Sequence, residues 1–284
     1  MSTTSHDSVK AGMENLTETA GTFSKLSLDP AEEYKMNKKR RGLALIFNQK
    51  HFYTGCKPRY GTEVDRNNLE KRLKELGFEV KVYNDKTKKD VEDRIREAAE
   101  ADHSDADSFL LVFLSHGEKD HIHASDDKIS IQDITARFKG DKCPTLVGKP
   151  KIFILQACRG EEYDNPATAC GGGESEPKED ELMVDASAIH TLPAGADFIM
   201  CYSVAEGYFS FRNVLEGSWY IQDLCKTLGE YGDSLEFTDL LTMVNRRVSM
   251  RSVEKCTDPA AIEKKQVPCF SSMLTKQLYF RPKE

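Results

Sequence analysis

Four short apolar runs decide what this chain can fold into. "GLALIFNQ" (42–49), "SFLLVFLSHG" (108–117), "KIFILQ" (151–156) and "GADFIMCYSV" (195–204) have the length and composition of buried strands. Strands that are oily on both faces need cover on both faces, which a parallel sheet between layers of helices provides. The intervening segments supply that cover. "TEVDRNNLEKRLKELG" (62–77) reads as a helix: Thr62 and Asp65 resemble a capping box, Leu69, Leu73 and Leu76 share a face, and Gly77 ends the run. "KDVEDRIREAAEA" (89–101) is amphipathic, "SIQDITARF" (130–138) is helical, and further helices are expected at 219–229 and 236–252. "FEVKVYND" (78–85) alternates like a strand, and "QVPCFSSMLTKQLYF" (266–280) closes the chain as a long apolar strand. Strands alternating with helices predict an α/β fold with a largely parallel sheet covered on both sides.

One segment departs from this rhythm. "GEEYDNPATACGGGESEPKEDELMVDASAIH" (160–190) holds three successive glycines, two prolines and many acids, and it cannot bury enough to fold alone. Such a loop inside a compact domain signals function or disorder. It divides the chain into a half at 31–164, a linker at 165–185 and a half at 186–284. Residues 1–30 lack an apolar period and read as a short disordered leader. The run Lys38, Lys39, Arg40, Arg41 reads as a solvated charge cluster rather than a nuclear signal or phosphate patch.

A formal net charge of −7 argues against a general nucleic-acid binder. No apolar run reaches the length of a membrane span and the first thirty residues hold no signal-peptide core, so the expected setting is cytosol or nucleus. Eight cysteines without any CxxC pair exclude a zinc ribbon and a thioredoxin motif. Most are expected to be reduced, and several to be core residues.

Ligands of an open parallel sheet bind beyond the carboxyl ends of its strands. Two apolar runs here stop in reactive side chains: "LVFLSHG" in His116 and Gly117, and "IFILQAC" in Cys158. The separation, 158 − 116 = 42 residues, leaves room for one crossover, so the two strand ends can be neighbours. Imidazole can support a thiolate near neutral pH. Gly117 permits close backbone approach, so its N–H and that of Cys158 could hold an oxyanion. A core cysteine beside an unrelated histidine is the plainer alternative for any single such pair.

"QACRG" (156–160) and "LSHGE" (114–118) match the signature segments of the caspases. "FNQKHF" (47–52), "GTEVDRNNL" (61–69), "PAGADFIMCYSVAEGYFSFRN" (193–213), "GSWYIQDLC" (217–225) and "KKQVPCFSSMLTKQLYF" (264–280) resemble effector caspases, the caspase six branch most of all. The likeness covers nearly everything from about residue 30 onward. It implies a caspase-like three-layer sandwich: a central, mostly parallel six-stranded sheet with helices on both faces. It also implies a cysteine endopeptidase that cuts proteins after aspartate, acts in apoptosis and needs neither cofactor nor metal. By the same resemblance Cys158 is the nucleophile, His116 the general acid/base, and Gly117 an oxyanion donor. A backbone carbonyl near Lys57 takes the place of a carboxylate behind the histidine. Arg59, Arg212 and Gln156 would hold the substrate aspartate, a carboxylate best matched by guanidinium forks. Phe209, Phe211 and Trp219 would wall the neighbouring subsites, with Ser210 and Asn213 beside them; Tyr208 serves equally well as core.

Some positions depart from the caspase six pattern. Phe211 stands where that branch has histidine, Asn213 where it has glutamate, and Ala20 where it has the aspartate at which the leader is removed. The leader is therefore expected to be retained. Asp164 and Asp185 offer processing sites to the enzyme itself or to upstream caspases. Asp185 is 185 − 158 = 27 residues past Cys158, a flexible reach of about 30 Å, enough to fold back. Asp164, 164 − 158 = 6 residues past it, needs another molecule. The apolar edge 266–280 is expected to pair with a second copy about a two-fold axis, giving a dimer of cleaved units. Two rival classes remain. A catalytically inactive caspase-like regulator would lack Cys158, His116 or an arginine, and all are present. A metal or redox protein could be built on "HIH" (121–123), which without partners at ligand spacing reads as surface strand.

Overall fold

The computed structural model describes residues 32–118, 120–160, 162–165, 195–254 and 259–283. Its elements run β1 (Arg40–Asn48), α1 (Thr62–Glu75), β2 (Glu79–Asn84), α2 (Lys88–Glu100), β3 (Ala106–Leu114), the hairpin β4 (His121–His123) and β5 (Lys128–Ser130), α3 (Ile131–Ala136) and β6 (Lys151–Gln156). Then follow β7 (Phe198–Tyr202), the hairpin β8 (Arg212–Asn213) and β9 (Gly217–Ser218), α4 (Trp219–Tyr231), α5 (Phe237–Met250) and β10 (Cys269–Ser272).

Six of the strands form one sheet in the order β10-β7-β6-β3-β1-β2, parallel throughout except for the antiparallel edge β10. The period of two within each apolar run explains the layers. Ala44 and Ile46 of β1, with Leu110 and Val112 of β3, point to the face covered by α1, α4 and α5. Leu43, Leu45 and Phe47, with Phe109, Leu111 and Phe113, point to the face covered by α2 and α3. A sandwich of three layers results, as expected.

Three expectations fail locally. The long final strand 266–280 shrinks to Cys269–Ser272; beyond it Leu278 and Phe280 turn inward and are buried in the core beneath α1 and α5. An apolar run at the chain's end packed as a core plug rather than as a sheet edge. The basic run at 38–41 also divides. Arg41 is 1% exposed, donates Nε to the Leu76 carbonyl at 3.1 Å and lies 3.8 Å from Asp107, whose carboxylate also meets Lys283 at 2.5 Å. Arg41 is thus a structural cation, its charge balanced inside. Finally, α1 is capped by Gly61, whose φ of 89° suits glycine, and no side chain caps it. Thr62 and Asp65 are buried and do other work. The expected leader, 1–30, and Asp185 in the linker lie outside the described residues.

Candidate active site

Strand register alone brings the sulfur and the imidazole to one edge. Asn48 of β1 pairs with Leu114 of β3, and Leu114 with Gln156 of β6. His116 is two residues beyond Leu114 and Cys158 two beyond Gln156. The Ser115 amide donates to the Gln156 carbonyl at 3.1 Å, carrying the ladder to the residue before His116. Gly117 is where the two turns meet: a Cβ there would stand 2.8 Å from the Ala157 Cβ and 3.0 Å from the Cys158 carbonyl oxygen. Gly160 has a similar reason, since a Cβ on it would overlap the Gly207 backbone at 2.2 Å. Among the described residues no acceptor is bonded to the amide of Gly117 or of Cys158, so both can meet a developing negative charge.

Nε2 of His116 lies 2.8 Å from the carbonyl oxygen of Lys57. A carbonyl only accepts, so Nε2 carries the hydrogen and Nδ1 keeps its lone pair. Phe52 packs on the ring, centroid to centroid 4.9 Å. Burial pushes the imidazole below its ordinary pKa; the Lys57 carbonyl opposes this and Arg59 and Arg212 add to it. His116 is therefore neutral at pH 7 and able to accept a proton. Cys158, past the end of the neighbouring strand β6, is half-buried and a free thiol.

Arg59 is 1% exposed and donates to the Gln49 carbonyl at 3.2 Å and to Thr62 Oγ1 at 2.8 Å. Burial, then the nearby charge of Arg212, brings its pKa down to about 9. Arg212 donates Nε to the Tyr60 carbonyl at 2.9 Å and is likewise lowered by burial, with Asp65 and Cys158 opposing. Among the described residues neither guanidinium forms an ion pair with a carboxylate. Asp65 offsets both charges from a distance, and two desolvated cations that no carboxylate contacts directly gain most from a ligand that brings one. Here the roles of Thr62 and Asp65 become clear. Thr62 accepts from Arg59 and donates to Asn48 at 2.7 Å, while Asp65 accepts from the amide (2.8 Å) and hydroxyl (2.6 Å) of Ser218 and so pins the hairpin that carries Arg212.

The rim is built from side-chain bonds. Gln156 Nε2 donates to Ser210 Oγ at 2.8 Å. Gln266, fully buried, donates to the Ser203 carbonyl at 2.7 Å and accepts from the Phe211 amide at 2.7 Å. Phe211 and Trp219 pack at 4.9 Å, and Tyr163 lies against both Phe209 (4.8 Å) and Phe211 (6.2 Å). Sequence reasoning missed Tyr163 and Gln266; the one signal for Tyr163 was an aromatic side chain in an otherwise acidic stretch. The side chain of Asn213 is turned to its own turn, accepting from the amides of Leu215 (2.7 Å) and Glu216 (3.1 Å). Asp164 is held by its carbonyl, which accepts from the Lys265 amide at 3.0 Å. The "HIH" reading needs correction: His121 is exposed, but His123 is 7% exposed, with Cys56 and Glu118 against its ring. No group of metal ligands is present among the described residues.

A thiol and an imidazole at the carboxyl end of a parallel sheet, beside amides with no bonded acceptor among the described residues, are the parts a cysteine hydrolase uses. A family model described as Caspase domain matches residues 41–279. The chain is 55% identical to Caspase-6 of Gallus gallus, covering 96% of this chain and 91% of that protein. It is 56% identical to Caspase-6 of Mus musculus, covering 94% and 99%. The crystal structure of Caspase-1 from Spodoptera frugiperda superposes with a TM-score of 0.79 at 39% identity, over 90% of this chain and 96% of that one. The chain belongs to the caspase family and is thereby an aspartate-specific cysteine endopeptidase, with a strong likeness to Caspase-6.

Proposed function

We propose that Cys158 and His116 perform the cleavage and that Arg59, Arg212 and Gln156 read the aspartate. His116 Nδ1 takes the thiol proton, and the thiolate attacks the scissile carbonyl. The amides of Gly117 and Cys158 hold the resulting oxyanion, and the imidazolium then protonates the leaving amine. Water hydrolyses the thioester by the reverse use of the same base. The observation that carries this reading is the buried Arg59 and half-buried Arg212 guanidinium groups near Cys158, neither in an ion pair with a carboxylate among the described residues. Phe209, Phe211 and Trp219 form the apolar wall for the upstream substrate residues, with Tyr163 as an added member.

The zymogen is cut at Asp164 and Asp185, separating halves at 31–164 and 186–284, in the cytosol or nucleus. Active units dimerise through the edge β10, which is shorter than the sequence suggested but has a side not paired by the described residues. An irreversible aspartyl probe provides the test. Covalent mass on Cys158, together with hydrolysis of Asp but not Asn peptides, is the expected result. Labelling elsewhere, or equal turnover of the Asn peptide, overturns the assignment.

A further inference from the structure

A second thiol–imidazole pair lies beside the first and is unused by the chemistry above. Cys56 Sγ is 3.5 Å from Nδ1 of His123, and Thr54 Oγ1 donates to the same sulfur at 3.5 Å. The other ring nitrogen, Nε2, faces a carboxylate oxygen of Glu118 at 3.6 Å, an oxygen that Lys128 also meets at 2.5 Å. Carboxylate, imidazole and thiol in that order form the arrangement that activates a nucleophile. Glu118 favours hydrogen on Nε2, which leaves Nδ1 to take the thiol proton. Burial keeps the His123 imidazole below its ordinary pKa, with Glu118 opposing, so it stands ready as a neutral base.

The pair is also firmly set. The His123 amide donates to the His116 carbonyl at 3.0 Å, and its own carbonyl accepts from Ser115 Oγ at 2.6 Å. Phe52 contacts both imidazoles, at 4.9 Å from His116 and 6.5 Å from His123. Cys56 is half-buried and reachable, whereas Cys143, Cys201 and Cys225 are buried and burial pushes each of their thiols upward. The residue after Cys56 is Lys57, whose carbonyl orients His116.

We propose that Cys56 is a modification site that exchanges with low-molecular-weight disulfides such as glutathione disulfide, and that the resulting adduct switches the peptidase off. His123 removes the Cys56 proton, and the thiolate attacks one sulfur of the disulfide. A Cys56–glutathione S–S bond forms as the original S–S bond breaks, and the departing glutathione thiolate takes the proton from His123. An adduct of tripeptide size cannot share the space between Thr54 and His123, so the 56–57 peptide shifts and the Lys57 carbonyl leaves His116. The exchange stands on its own geometry; the loss of activity rests on the role assigned to His116.

The test takes the full-length chain with Cys158→Ser, so that the first thiol cannot interfere, and follows glutathione disulfide addition by peptide mass mapping. Cys56 is expected to form an adduct, reversed by dithiothreitol, about tenfold faster than in the His123→Phe background. Glu118→Gln, at a more exposed position, should slow it by a smaller factor and guards against a folding defect in His123→Phe. Absence of adduct on Cys56, or equal rates in all three backgrounds, overturns the site. With Cys158 intact, activity should fall about tenfold or more as the Cys56 adduct accumulates, while Cys56→Ser resists over the same interval. Equal inactivation of both proteins overturns the switch. A chain that is inactive even after its 165–185 linker has been cut overturns the role of His116 and Cys158 instead, leaving the adduct measurement to judge Cys56.

Discussion

His116 and Cys158 inherit their positions from β3 and β6, paired residue by residue from Phe109–Lys151 to Leu114–Gln156. Arg212 sits instead on a hairpin of two-residue strands, flanked by Phe211 before it and Trp219 after it. The first region is fixed by main-chain bonds that any apolar strand sequence makes. The second is fixed by particular side chains: Asp65 on Ser218, Gln266 on Phe211, Gln156 on Ser210. Reactivity is thus anchored in backbone and recognition in side-chain contacts, and substitutions should separate the two.

The largest effect is expected at the sheet end. Cys158→Ser should lower kcat/KM by about 10^4-fold or more with the unfolding midpoint unchanged, because it removes a nucleophile and little packing. Next comes the aspartate pocket. Arg59→Ala should cost about 10^2- to 10^3-fold in kcat/KM for Asp peptides, the scale of a lost charge-assisted fork, with the preference for Asp over Asn collapsing. If that preference survives, the buried guanidinium is structural and the division drawn above fails.

Smaller effects should come from the rim's supports. Asp65→Ala leaves the Ser218 amide and hydroxyl without their acceptor and should cost about 1–3 kcal/mol of stability in chemical denaturation. It should raise KM while the rate of Cys158 alkylation by iodoacetamide stays put. A parallel loss of alkylation would show that rim and sheet end are not separable. The smallest effect is on pH dependence. His103, His116 and His123 are each lowered, burial being the first cause in every case. The unfolded chain therefore binds their protons more readily than the folded one. Stability is full above the ordinary imidazole value of about 6.5 and is lost as pH falls below it. Thermal midpoints should drop between pH 7 and pH 5, less steeply in His123→Phe.

The same division governs what could be read from the sequence. The sheet was legible because apolar runs of strand length have few other ways to be covered, and their sudden polar ends exposed His116 and Cys158. The contacts of the hairpin were not. Asp65 looks like a helix cap because a carboxylate three residues after threonine has that local use, and only the distant arrival of Ser218 reveals another. Arg41 could not be told from its solvated neighbours without Asp107. Residues 266–280 carry apolar side chains from Val267 to Phe280, and composition does not distinguish an edge strand from a core plug. Cys56 and His123 are 123 − 56 = 67 residues apart, with no pattern to join them.

β6 and β7 hydrogen-bond as neighbours from Lys151–Phe198 to Leu155–Tyr202 although residues 157–197 separate them along the chain. Four more main-chain bonds stitch Arg159 and Glu162 to residues 207–209. Severing the polypeptide between these seams would break a thread without opening the cloth. The two pieces would stay joined as one folded body, and parting them would mean peeling the sheet down its middle.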